Sequence, residues 1–168
     1  VVRLDATLTT RLQATYLGGS GDENGDMAIH PNGDIYVSGY TTSTIPGTTG
    51  GAQPSSGGGQ DGFVARLSTD LKTLIQATYL GGSGGAHSTR VAFHRVTGEV
   101  YAGGYTTSTI PGTAGGIQPS SDGGQDGYAA RLSADLKTLI QATYLGGSGT
   151  DEIVALAFHS VTGEVYAG

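Results

Sequence analysis

An all-β fold built from a repeated four-stranded unit is predicted by this sequence on three observations. Residues 41–76 recur as residues 106–141 with six substitutions, and each copy runs into ATYLGGSG, a motif that begins at Ala14, Ala77 and Ala142. The spacings of 63 and 65 residues are too long for a helical solenoid repeat and suit one four-stranded unit plus a long loop. Apolar residues alternate with small or polar ones at period two, and no segment carries a sustained 3.6-residue period. Thirty-one glycines among 168 residues, with no Gly-X-Y period, fit many short strands joined by tight turns. Four antiparallel strands per repeat, set side by side, is the layout of a β-propeller blade. A β-sandwich uses similar strands but does not ordinarily repeat a four-strand unit so faithfully.

The chain opens on the second half of such a unit: Val2-Arg3-Leu4 aligns with Ala65-Arg66-Leu67, and residues 12–17 align with 75–80. In the first whole unit, strand one is expected at 27–30, with counterparts at 91–94 and 156–159. The turn after it carries Asn32-Gly33, two residues that tolerate positive φ, while the turns at 96–98 and 161–163 keep only the glycine. Strand two is expected at 34–40, 99–105 and 164–168. A long loop dense in Thr, Ser, Gly and Pro follows at 41–61 and again at 106–126. Strand three is expected at 62–67, a turn at 68–70, and strand four at 73–80. The stretch DLKTLIQA is too short for an independent helix.

The expected content is therefore a half-blade at 1–19 (strands three and four), whole blades at 20–82 and 83–147, and a complementary half-blade at 148–168 (strands one and two). Two arrangements fit this frame. Either the halves complete each other, two chains then supplying a six-bladed ring, or the segment is an excerpt of one larger propeller. The excerpt is the favoured expectation, because the repeats elsewhere continue where the two ends fall.

Composition narrows the function classes. Only 13% of residues are charged, the net charge is −6, and Lys72 and Lys137 are the only lysines, so no nucleic-acid partner is expected. Without cysteine there is no disulfide, thiolate nucleophile or zinc–thiolate site. No apolar run approaches the ~20 residues of a spanning helix, so no membrane span is expected.

The motifs YLGGSG, GDIYVSGYTTS, a Pro-containing loop, GGQDGFVARL and LIQATYLGG occur in that order, and together they resemble the bacterial β-propeller repeat known as SBBP over nearly the whole chain. The resemblance implies a propeller in large secreted or surface-attached prokaryotic proteins, commonly beside adhesion-type modules. It therefore implies an extracellular or cell-surface location, and it brings no catalytic residue. One departure stands out: where such repeats usually carry Asp after strand one, this chain carries His30, His94 and His159.

Those histidines are the sharpest candidates for a site. A residue repeated at the end of an innermost strand forms a ring, and neutral imidazoles in a ring could bind a transition metal; alternatively each caps its own turn. Asp22 and Asp26, in GDENGD, offer oxygen at alternating positions as a calcium loop does, but no distal glutamate follows and the later copies lack the pattern, so a solvated turn is expected. No cofactor is expected beyond such a metal ion. Asp61 and Asp126, in GGQDG, are read as structural acceptors for turn N–H groups. In the long loops, Thr41, Thr42, Gln53, Thr106, Thr107 and Gln118 are the candidate ligand-binding residues, suited to glycans or neighbouring subunits; the competing reading is that these loops wrap and protect the sheet edge. Gly81-Gly82-Ser83-Gly84-Gly85 spells Gly-x-Ser-x-Gly, but no helix is expected after it, so neither a nucleophile elbow nor a phosphate loop is read here. The expected function is a non-enzymatic scaffold or binding module whose partners are other subunits or further blades, with a surface or filamentous assembly as its specific form. A glycan-binding lectin-like propeller is the alternative. A propeller lyase or glycoside hydrolase ranks below both, because near-identical copies disfavour one asymmetric site.

Overall fold

The computed structural model describes residues 1–168 and consists of β-strands, turns and loops without a helix. β1 (Val2–Leu4) and β2 (Arg11–Ala14) form a hairpin, as do β11 (Leu156–Phe158) and β12 (Val165–Ala167). Between them lie two four-stranded antiparallel sheets, each in sequence order. The first contains β3 (Glu23–Ile29), β4 (Ile35–Thr41), β5 (Asp61–Leu67) and β6 (Leu74–Leu80). The second contains β7 (Ala86–Phe93), β8 (Val100–Thr106), β9 (Asp126–Leu132) and β10 (Leu139–Leu145). The all-β class and the four strands per repeat are as the sequence predicts.

Strand one differs from expectation in length and position. It begins at Glu23 rather than at Met27, and Glu23–Asp26 of the acidic run is paired with Thr41–Ser38 rather than forming a solvated turn. The reason is that β4 presents an unpaired edge along its whole length, and backbone pairing satisfies those groups. The histidines fall one residue beyond the strands that precede them. In the second copy the strand carries a bulge between Ser88 and Arg90, which absorbs one extra residue.

The turn after β3 also differs. Gly33 has φ +92°, but Asn32 keeps an ordinary negative φ and works through its side chain, whose Oδ1 accepts from Asp34 N at 3.0 Å. Gly98 and Gly163 take φ +71° and +76° in the longer turns of the other copies. A single left-handed residue therefore suffices, and all three copies keep the glycine that provides it.

The turn between strands three and four is built on a strained residue. Leu8, Leu71 and Leu136 have φ of +59°, +58° and +60°, a conformation that costs an L-residue about 1 kcal/mol or more. Leu71 and Leu136 offset that cost by burial, at 3% and 0% exposure, whereas Leu8 is 75% exposed.

Each sheet has two faces, fixed by the register. On the first, Tyr36 and Val64 point one way, while Ile35, Val37, Phe63 and Ala65 point the other. The Tyr36 face packs against Val100, Ala102, Ala130 and Leu132 of the second sheet in one apolar core. The junction is sewn by the Tyr36 hydroxyl, which donates to the Ala134 carbonyl, and by Ala52 N, which donates to the Leu136 carbonyl at 2.9 Å. On the opposite face, Val1 and Leu17 pack against the smaller cores of the first sheet. Arg3 Nη1 there donates to the Thr69 carbonyl at 3.3 Å, as Arg66 Nη1 does to Ala134 at 3.4 Å. One packing geometry is thus used twice in succession.

Candidate functional site

The histidines belong to the junctions between repeats. His30 Nδ1 lies 2.7 Å from Asn32 Oδ1, and its Nε2 lies 3.1 Å from the Gly98 carbonyl of the following repeat. His94 Nδ1 accepts from Thr97 N at 3.2 Å and meets the Thr97 hydroxyl at 3.1 Å; His159 does the same with Thr162 at 3.1 and 3.0 Å. A methyl group added at Gly163 would come within 2.5 Å of His94 Nε2, so that ring also presses on the next repeat's turn. Each imidazole caps its own turn, and the rings of His30 and His94 abut the succeeding one. No three His, Asp or Glu side chains come together anywhere in a group able to hold a metal. Asp22 is exposed at the start of β3, and the Asp26 carboxylate accepts from its neighbour Met27 N at 2.8 Å.

The long loops run along the outer strand of their own sheet. Ala77 N donates to the Gly47 carbonyl at 2.8 Å and Tyr79 N to the Gln53 carbonyl at 3.0 Å, so the free edge of β6 is capped by the loop. The second copy repeats both bonds, from Ala142 to Gly112 and from Tyr144 to Gln118, each at 2.9 Å. Side chains reinforce the seam. Gln76 donates to the carbonyls of Gly47 and Thr49 at 2.8 and 3.2 Å, and the buried Ile45 N–H donates to the Tyr79 hydroxyl at 2.9 Å. The candidate ligand-binding residues are engaged in the same work. Gln53 receives Gly81 N and Gln118 receives Gly146 N, both at 3.1 Å. Thr41 donates to Glu23, and Thr106 donates to the Gly85 carbonyl. Thr42 accepts from Asp22 N and Thr107 from Gly85 N. Asp61 and Asp126 open strand three and pin the loop ends: Asp61 Oδ2 accepts from the Ser56 hydroxyl and Gly57 N, and Asp126 Oδ2 from Asp122 N and Gly123 N. Their Oδ1 atoms are buried without a protein partner.

Two features escaped the sequence reading. Arg66 pairs with Asp34 at 2.6 Å and Arg131 with Glu99 at 2.7 Å, each across strands two and three of its sheet. The Arg131 guanidinium holds the Glu99 carboxyl below its usual range. The signal was available: both pairs recur at matched repeat positions in strands otherwise nearly free of charge. The other is His87, stacked between Tyr40 and Tyr105 with ring centroids 4.1 and 4.3 Å away. Burial pushes this imidazole's pKa down, while the Glu152 carboxylate opposes that shift. His87 replaces Asn24 at the position opposite the repeated tyrosine, so nothing local in the sequence marked it. Burial also pushes Tyr36 up to about 12 and raises Tyr128, whose hydroxyl meets Ser88. Both phenols are hydrogen-bonded within the packed structure, Tyr36 to the Ala134 carbonyl and Tyr128 to Ser88.

No family model matches the chain. Over 67 residues it is 36% identical to the regulatory protein FlaEY of Caulobacter vibrioides, a match that covers 39% of this chain and 7% of that relative. Its length is close to the 63- and 65-residue repeat spacings.

Proposed function

We propose that this chain is part of a non-enzymatic β-propeller, of the kind the SBBP-like motifs imply, that serves as an extracellular scaffold or binding module. The observation that carries the reading is the repeated use of polar side chains inside the molecule. Gln76 and Gln141, Tyr79 and Tyr144, Asp61 and Asp126 perform the same internal task in each repeat, and of the groups that differ between the copies His87 is packed against Tyr40 and Tyr105 and Tyr128 is buried on Ser88. Catalysis needs a constellation with a nucleophile or acid–base pair held in reach of one point. Stacked identical sheets supply instead a rigid body with recurring surfaces, which suits multivalent contact. The short match to a much larger regulatory protein fits a repeat module carried within longer chains.

Three measurements test this. Incubation with a panel of polysaccharides and glycosides should release no product, and turnover that survives repurification would overturn the non-enzymatic reading. Glycan-array binding with one site per repeat would move the function to a lectin. Negative-stain classes of the assembled protein should show sheets arranged radially about a central opening; a straight stack would overturn the propeller.

A further inference from the structure

We propose that the turn leading out of the second whole sheet is a calcium site, with Asp126 and Asp151 as its carboxylate ligands. The inference goes beyond the scaffold reading and does not depend on it. A Cβ placed on Gly146 would lie 2.5 Å from Asp126 Oδ1 and 3.1 Å from Asp151 Oδ2, so the two carboxylates approach one point. Asp126 is 1% exposed, and its Oδ1 is buried without a hydrogen-bond partner. Its other oxygen accepts from Asp122 N and Gly123 N, both at 3.2 Å, which holds the carboxyl group in place and leaves Oδ1 directed at Gly146. Asp151 is fixed as well. Its Oδ2 accepts from Gly147 N at 2.9 Å, and its own N–H donates to the Gln125 carbonyl at 3.0 Å.

Two carboxylates brought together in a partly buried place repel each other, and a cation between them turns that repulsion into attraction. Calcium suits this donor set. It takes about six to eight oxygens in flexible geometry, mixing carboxylates with backbone carbonyls and water, so two acids are enough when carbonyls stand nearby. The turn supplies them: the carbonyl oxygens of Gly147 and Gly149 lie 2.6 and 2.8 Å from a Cβ placed on Gly123, beside the Asp126 carboxylate, and neither accepts a backbone hydrogen bond. Magnesium demands a near-ideal octahedron and gives up its waters reluctantly, which a glycine-rich turn does not favour. A bound ion would clamp residues 122–126 to residues 147–151, the seam that the Gln125–Thr150 bridge already joins.

The junction one repeat earlier has the same framework without the second ligand. Asp61 stands where Asp126 does, with its Oδ1 likewise buried, unpartnered and set against the glycine, Gly81, that corresponds to Gly146. Asp61 lies between two whole sheets of the chain, so the free oxygen is a property of the loop and owes nothing to where the sequence stops. Ala86 occupies the place of Asp151, and Gly57 the place of Asp122. The later junction therefore gains two acids over a near-identical backbone. Asp151 reaches the buried oxygen, and the exposed Asp122 adds negative charge to the loop beside it. A single carboxylate, as at Asp61, remains a structural acceptor; the pair makes a cation site.

The test is calorimetric titration of the chelator-stripped protein with calcium chloride at physiological salt, with circular dichroism confirming that each variant is folded. Wild type should bind calcium with a dissociation constant on the order of 10⁻⁴–10⁻³ M, the range of weak extracellular sites. Asp151→Ala reproduces the Ala86 of the earlier junction, which folds with that residue, and should bind one ion fewer per chain. Asp151→Asn should weaken the site roughly tenfold or more, because ligand charge sets calcium affinity. Saturating calcium should raise the melting temperature of wild type more than that of Asp151→Ala. Asp22→Asn should leave binding unchanged, which separates this site from the acidic run at residues 22–26. No calcium uptake by wild type, full uptake by Asp151→Ala, loss of the ion in Asp22→Asn, or equal affinity for magnesium would overturn the proposal.

Discussion

Single side chains here settle how backbone cost is met. Leu136 and Leu8 share a left-handed backbone, but only Leu136 fills a core. Leu136→Ala should therefore cost about 2–5 kcal/mol in urea unfolding, while Leu8→Ala should stay within about 0.5 kcal/mol. Equal losses at the two sites would contradict the burial argument. His87 gives a pH signature. Its folded pKa is depressed by burial in the tyrosine stack, so the unfolded chain binds the proton more readily. Its contribution is complete above the unfolded value of about 6.5 and is lost as pH falls through the window below that value. His87→Phe keeps a ring between Tyr40 and Tyr105, and should flatten the drop in melting temperature between pH 7 and pH 5. An unchanged slope would assign that drop to other groups.

At the scale of elements, the long loops act as a fifth layer of pairing along β6 and β10. An exposed strand edge invites pairing with another chain, and covering it is a common protection. Tyr79→Phe removes the acceptor for the buried Ile45 N–H and should destabilise by about 1–3 kcal/mol, the cost of an unsatisfied buried donor. Hydrogen exchange should show faster loss of protection at Ala77 and Tyr79 in this variant, with β4 and β5 little changed. Uniform loss across the sheet would mean that the loop is not a separable unit.

For the whole molecule, stability is organised by junctions rather than by sheets. The largest core takes Tyr36 and Val64 from the first sheet and Val100, Tyr128 and Leu132 from the second, so neither sheet buries its apolar face alone. In such arrays, stability approximates a sum of unit terms and nearest-neighbour interfaces. Leu132→Ala should lower stability by about 2–5 kcal/mol and should lower amide protection in β4 and β5 as well as in its own sheet. Protection loss confined to β8, β9 and β10 would refute a shared core.

The sequence by itself determined the all-β class, the four-strand repeat, the strand order and the offset frame with half-units at both ends. Those follow from period-two alternation and from near-identical copies, both local or self-referential signals. It also exposed Asp61 and Asp126 as acceptors at the loop ends, because glycine-rich turns beside a lone carboxylate leave few other roles. Only tertiary structure decided that Glu23–Asp26 belongs to a strand, since an unpaired β4 edge outweighs the turn character of Asn24 and Gly25. It alone set the long loops against the strand edges, turned His30 and His94 toward the succeeding turns, and paired Asp34 with Arg66 and Glu99 with Arg131 across their sheets. The physical reason is that hydrogen-bond satisfaction and burial are settled between segments about 65 residues apart in the chain, where sequence periodicity counts the repeats but carries no information on which face meets which.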